Sequence, residues 1–136
     1  MDLYAENILD HYRTPRGQEP LTGPSVEHKE ENTSCGDELT IRLLIADGKI
    51  STISWAGAGC AISQAAMSML AEELPGMSLA DAEKLTTTKI YALLGVPVGP
   101  RRFKCALLGL HTLKNTLRKH AGLPSQPWTV TVGLEN

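Results

Sequence analysis

The chain has 136 residues, 42% of them apolar, which is enough for one domain with a single core and too much for a disordered segment. Its formal net charge is −2, and one Phe with three Tyr make no interleaved stacking platform, so nucleic acid is not an expected partner. No stretch reaches the roughly 18 apolar residues of a membrane helix, and no basic segment followed by an apolar run opens the chain, so a cytoplasmic protein that does not engage a membrane is expected.

Residues 3–13, with Leu3, Ile8, Leu9 and Tyr12, have helical periodicity that Thr14-Pro15-Arg16-Gly17 stops, because the residue before a proline is pushed out of the α region. His11 on that helix reads as a surface or packing residue. Residues 18–24 should be irregular, and residues 25–29 form an edge strand. Residues 38–46 alternate Leu39, Ile41, Leu43 and Ile45 with Thr40 and Arg42, the period of a strand with one buried face. Asp47-Gly48 supplies a tight turn and residues 49–55 the partner strand, which Gly57-Ala58-Gly59 ends.

Residues 60–74 then predict a helix with Ile62, Ala65, Ala66, Met69 and Leu70 inward, broken by Pro75-Gly76. Ser78 and Asp81 have the spacing of an N-cap and first-turn acid for a short helix to about Leu85, and another helix follows at 88–94. Val96-Pro97-Val98-Gly99-Pro100 must be extended. A last long helix covers 103–120, with Phe103, Ala106, Leu110, Leu113 and Leu117 on one stripe and Gly122 and Pro124 ending it. Residues 128–132 have a strand-like pattern without a partner, so residues 125–136 read as a loosely ordered tail. One domain over 1–136 is therefore expected, of α+β class: a small antiparallel sheet of about three strands packed with several helices.

Three cysteines stand at the joints of this arrangement. Cys35 precedes the first hairpin strand, Cys60 follows the second strand and opens a helix, and Cys105 lies in the first turn of the last helix. An odd number of cysteines without a secretion signal argues against a disulfide framework and for metal-binding or catalytic thiols. Helix N-termini and neighbouring cations, here Arg102 and Lys104 beside Cys105, favour the thiolate that binds metal or attacks sulfur. Asp37 can add an oxygen ligand, and three thiolates with a carboxylate suit Zn²⁺ or an iron–sulfur cluster. With no Cys-x-x-Cys pair, spacing alone leaves each cysteine equally readable as a small buried hydrophobe, Asp37 as a turn or cap residue, and Arg102 and Lys104 as solvated cations.

Charge is unevenly distributed. Residues 1–83 carry 5 basic and 14 acidic side chains, whereas residues 84–136 carry 8 basic and 1 acidic. A basic C-terminal third fits either a solvated helix or a docking surface for an acidic partner protein, with Lys114, Arg118 and Lys119 as the cations in question.

Ser34-Cys35-Gly36-Asp37, Gly57-Ala58-Gly59-Cys60-Ala61-Ile62-Ser63 and Arg102-Phe103-Lys104-Cys105-Ala106 resemble, in order and approximate spacing, the three cysteine motifs of the U-type iron–sulfur assembly proteins: IscU, SufU and the N-terminal domain of NifU. Ile8-Leu9-Asp10-His11-Tyr12 with Pro15-Arg16 is similar to that family's opening, and the resemblance covers residues 3–120. It implies a SufE/NifU-like α+β fold with a solvent-facing site. Cys35, Asp37, Cys60 and Cys105 would be the ligands of a [2Fe–2S] cluster or of zinc, and Cys105 the acceptor of persulfide sulfur, flanked by Arg102 and Lys104. The implied role is that of a scaffold rather than an enzyme. It would accept sulfur from a cysteine desulfurase and assemble a cluster for recipient apoproteins; the alternative is a SufU-like zinc-dependent sulfur acceptor.

The branch is mixed. IscU proteins place a histidine immediately before the third cysteine, where this chain has the SufU-like Lys104, yet the segment from Cys60 to Cys105 is too short for the insertion usual in SufU proteins. Val98-Gly99-Pro100-Arg101-Arg102 does not reproduce the chaperone-recognition sequence of IscU, which argues against a dedicated Hsp70-type chaperone.

Overall fold

A computed structural model describes residues 3–34 and 36–133 of the chain. The alternating apolar residues of β2 (Asp37–Ala46) build the centre of a three-stranded antiparallel sheet, ordered β1-β2-β3. Leu39, Ile41 and Leu43 are fully buried. Asp47 and Gly48 both adopt positive φ, 54° and 71°, as a tight hairpin between strands of right-handed twist requires. β3 (Lys49–Ala58) returns with Trp55 opposite Ile41 and Ile53 opposite Leu43, and the register slips once between Leu44 and Ile45.

β3 continues past its expected end at Trp55. Gly57 does not break the strand; it pairs with Leu39, and a Cβ there would run into the Glu38 carbonyl oxygen and the Leu39 side chain. The glycine lets two strands lie closer than side chains allow. Gly57→Ala should therefore separate β2 from β3 and cost about 1–3 kcal/mol, the usual scale of overpacking. Urea unfolding measures it, and an unchanged midpoint would show that the strands have slack.

β1 (Val26–Asn32) is the expected edge strand but runs three residues further than residues 25–29, to Asn32 opposite Asp37. Its inward side chains below Val26 are His28 and Glu30, both half-buried. They face α5 (Phe103–His120), the long helix whose bounds match the expectation. Asn115 of α5 donates to Glu30 Oε2 at 3.1 Å, and His28 Nε2 lies 2.5 Å from the same oxygen.

α2 (Ala61–Glu73) differs from the one-sided helix expected. Every residue from Ser63 to Ala71 is buried, while Ile62, expected inward, is only partly so. The helix lies between α1 (Leu3–Arg13) on one side and α5 on the other, and small residues such as Ala65, Ala66 and Ser68 make that close approach feasible. At the α2–α5 crossing, a Cβ on Gly109 would sit 2.9 Å from Met67 Sδ. α3 (Leu79–Glu83) is capped as anticipated, Ser78 Oγ accepting the Asp81 N–H at 3.0 Å, and α4 (Thr87–Leu94) closes on Gly95 at φ 68°.

The strand-like reading of residues 128–132 is overturned. They begin with a short helix, α6 (Trp128–Thr131), which follows Pro127 and packs on α5 rather than on a strand edge. Trp128 stacks on His111 with ring centroids 4.1 Å apart, and the Gln126 N–H donates to Asn115 Oδ1 at 2.7 Å. Six helices and the sheet, among the described residues, make the α+β architecture expected. No helix among them is long and apolar enough to cross a membrane.

Two histidines are buried in this framework. His11 Nδ1 meets Ser68 Oγ at 2.7 Å and its Nε2 lies 3.2 Å from Glu72, so it packs, as expected. His111 Nδ1 meets Thr131 Oγ1 at 2.6 Å. Burial lowers both pKa values below the ordinary 6.5, despite Glu72 and Glu30 nearby. The unfolded chain then binds more protons than the folded one below about pH 6.5, so this stability is complete above that value and lost as pH falls through the folded pKa. Unfolding free energy should be smaller at about pH 5.5 than at about pH 7.5, and substituting both histidines should flatten the difference.

Candidate metal centre

The N-terminal ends of three elements meet at one end of the sheet. Asp37 opens β2, Cys60 is the N-cap of α2, and Cys105 is the third residue of α5. Their ligand atoms, one carboxylate oxygen and two Sγ, all lie within 4.8 Å of one another. Sequence separations of 23 and 45 residues are thus closed by the hairpin and by the packing of α5 across both sheet and α2. Cys35 lies outside the described residues.

Asp37 is held by its surroundings. Its Oδ1 accepts the backbone N–H of Cys60 at 3.2 Å, placing a carboxylate at the start of a helix, where negative charge is favoured. Its other oxygen, Oδ2, is buried without a hydrogen-bond partner among the described residues. An ionised oxygen in that position is costly unless a cation or donor compensates it. Two sulfurs and one Asp37 carboxylate oxygen, all within 4.8 Å of one another, fit a thiophilic cation such as zinc or iron. Gly59 makes room for this: a Cβ there would sit 2.5 Å from Asp37 Oδ1 and 2.8 Å from its Cγ.

The site is less open than the solvent-facing one expected. Asp37 and Cys105 are only 3% and 2% exposed, and of these three residues Cys60 alone is half-buried. The two flanking cations have different surroundings. Arg102 is exposed at the N-cap of α5, and the Lys104 ammonium lies 5.9 Å from the centroid of the Trp128 ring, a cation–π distance. Each of the three cations read as a docking surface or a solvated face also donates within the chain: Lys114 Nζ to the Glu83 carbonyl, Arg118 Nε to that of Pro124 and Lys119 Nζ to that of Glu27.

Sequence reasoning did not single out Ser63 and Gln64, whose buried Oγ and Nε2 lack partners among the described residues, nor Trp128 beside Lys104. The signal for the first pair was available, since they stand three and four residues after Cys60 on the same helical face.

The chain is similar to known proteins along most of its length. The family model of the NifU-like N-terminal domain matches residues 3–126. The iron–sulfur cluster assembly scaffold protein IscU of Thermotoga maritima is 30% identical over 133 residues, covering 86% of this chain and 94% of the relative. The zinc-dependent sulfurtransferase SufU of Bacillus subtilis is 29% identical over 139 residues, covering 88% and 92%. Among solved structures, an iron–sulfur cluster assembly scaffold protein for the SUF system from Fervidobacterium islandicum superposes with a TM-score of 0.73 at 26% identity, covering 82% of this chain and 94% of that one. With the motifs, the fold and the converged donor set in agreement, the chain belongs to the NifU-like N-terminal domain family, the U-type iron–sulfur assembly proteins.

Proposed function

We propose that the chain is an iron–sulfur cluster assembly scaffold that accepts sulfur from a cysteine desulfurase, builds a [2Fe–2S] cluster and passes it to recipient apoproteins. The observation that carries this reading is the convergence of an Asp37 carboxylate oxygen with the Cys60 and Cys105 sulfurs within 4.8 Å. Cys35, two residues before Asp37 in the first motif, completes the ligand set. The cluster is cargo, and a hard carboxylate among thiolates is the ligand that yields first on release. Cys105 is the sulfur acceptor, with the dipole of α5 favouring its thiolate. Because its thiol is buried, transfer requires the loop before α5 to give way.

A second reading is favoured by Lys104 at the position before the third cysteine and by the comparable similarity to SufU. In it the same four residues hold zinc, which supplies a charge that keeps thiolates deprotonated, and the chain relays sulfur without building a cluster. Elemental analysis with an absorption spectrum of anaerobically purified protein separates the two. Iron and sulfide with visible charge-transfer bands establish the scaffold; stoichiometric zinc without iron selects the relay. A chain that binds neither metal at these residues sinks both.

A further inference from the structure

Three buried polar side-chain atoms lack a hydrogen-bond partner among the described residues: Asp37 Oδ2, Ser63 Oγ and Gln64 Nε2. All three belong to the start of α2, because Asp37 binds the Cys60 N–H and the other two follow Cys60 by three and four residues. They do not bond one another. Asp37 Oδ2 is an acceptor without a cation, whereas Ser63 and Gln64 offer donors without an anion.

Ser63 is 1% and Gln64 8% exposed, so water does not compensate them as it would at a surface. Buried hydroxyls nearby are satisfied. Thr112 and Thr116 donate to the carbonyls of Leu108 and Thr112, each at 2.7 Å, and Ser68 Oγ accepts the Arg16 N–H at 2.8 Å. Ser63 makes no such bond to its own helix.

Position tells what the donors face. Cys60, Ser63, Gln64 and Met67 share one face of α2, and Met67 packs on Gly109 of α5. Gly109 is one turn beyond Cys105 on α5. Ser63 and Gln64 therefore stand on the face of α2 that runs from Cys60 to the crossing with α5 at Met67 and Gly109. We propose that they form a subsite for anionic sulfur, donating hydrogen bonds to the terminal sulfur of a persulfide held on Cys60 or Cys105. This rests on the sulfur-accepting role proposed above and adds residues to which no role has been assigned.

The chemistry balances without an added oxidant. A protein thiolate attacks the outer sulfur of a donor persulfide R–S–S⁻; the donor S–S bond breaks, R–S⁻ leaves and takes up a proton, and the protein carries the new S–S⁻. The negative charge ends on the outer sulfur, where two neutral, buried donors make charge-assisted bonds.

The test loads the full-length chain with sodium tetrasulfide and follows bound persulfide by cyanolysis and intact mass, in wild type, Ser63→Ala, Gln64→Leu and the double variant. Loss of persulfide should be about tenfold faster for each single variant, the scale of one charge-assisted hydrogen bond. The thermal midpoint of the unloaded chain should stay level or rise, because an uncompensated buried polar atom has been removed. A midpoint that falls means the donors have a structural partner and overturns the proposal. So do persulfide lifetimes equal to wild type, which leave the sulfur-accepting role intact. A wild-type chain that retains no persulfide overturns that role and the subsite with it.

Discussion

Gly59→Ala should lower zinc affinity by about a hundredfold, the upper end of the range seen when groups that orient ligands are changed. The added methyl would lie 2.5 Å from Asp37 Oδ1, a separation that real Cβ atoms do not tolerate, so something must move. The backbone is not the reason for strain, since Gly59 is not among the glycines at positive φ. The carboxylate has to yield, and it is buried and tied to the Cys60 N–H. Moving it breaks that bond and withdraws the oxygen ligand at once. Loss of the bond at the start of α2 adds about 1 kcal/mol of destabilisation. Competition against a chromophoric chelator reads the first effect and urea unfolding the second. A variant with wild-type zinc affinity would mean that the Asp37 carboxylate is not a ligand.

That role of Gly59 illustrates what was and was not legible in the chain. The hairpin could be read because Leu39, Ile41 and Leu43 alternate cleanly and Asp47-Gly48 has one good turn geometry. The bounds of α5 followed from a clear stripe and its breakers. Asp37, Cys60 and Cys105 stood out through motifs that resemble a known family's, and the fold brings their ligand atoms within 4.8 Å of one another. What escaped depends on distances between residues far apart in sequence. Gly59 looked like a turn residue, but its use is defined by Asp37, 22 positions earlier. β1 was drawn too short because its inner face is polar, and Glu30, which also pairs with His28, finds its partners His111 and Asn115 only through α5. α2 looked amphipathic in isolation, and nothing local announced that α1 and α5 would cover both flanks. The carbonyls that the cations of α5 bind are likewise invisible in a one-dimensional charge count.

Removing the metal should leave the fold standing, and Cys60→Ser should separate binding from folding. A structural zinc supplies folding free energy where the core is too small to do so, and such domains unfold on chelation. Here the core is built from Leu39, Ile41, Leu43, Trp55, Leu70, Leu107 and Leu108, all at most 2% exposed, at about 1.5–3 kcal/mol for each large apolar side chain buried. None is a ligand, and the donor set sits where β2, α2 and α5 begin. Cys60 is half-buried and its side chain makes no capping hydrogen bond, so exchanging sulfur for oxygen should change the unfolding free energy of the metal-free chain by less than about 1 kcal/mol. With one thiolate gone, zinc affinity should fall by at least about a hundredfold. In saturating zinc, the variant should then trail wild type by about 2.7 kcal/mol, a difference that vanishes when chelator is added. Denaturant titrations with and without metal test both halves. Loss of cooperative unfolding in the chelated wild type would make the site a structural zinc and remove the case for a scaffold or relay.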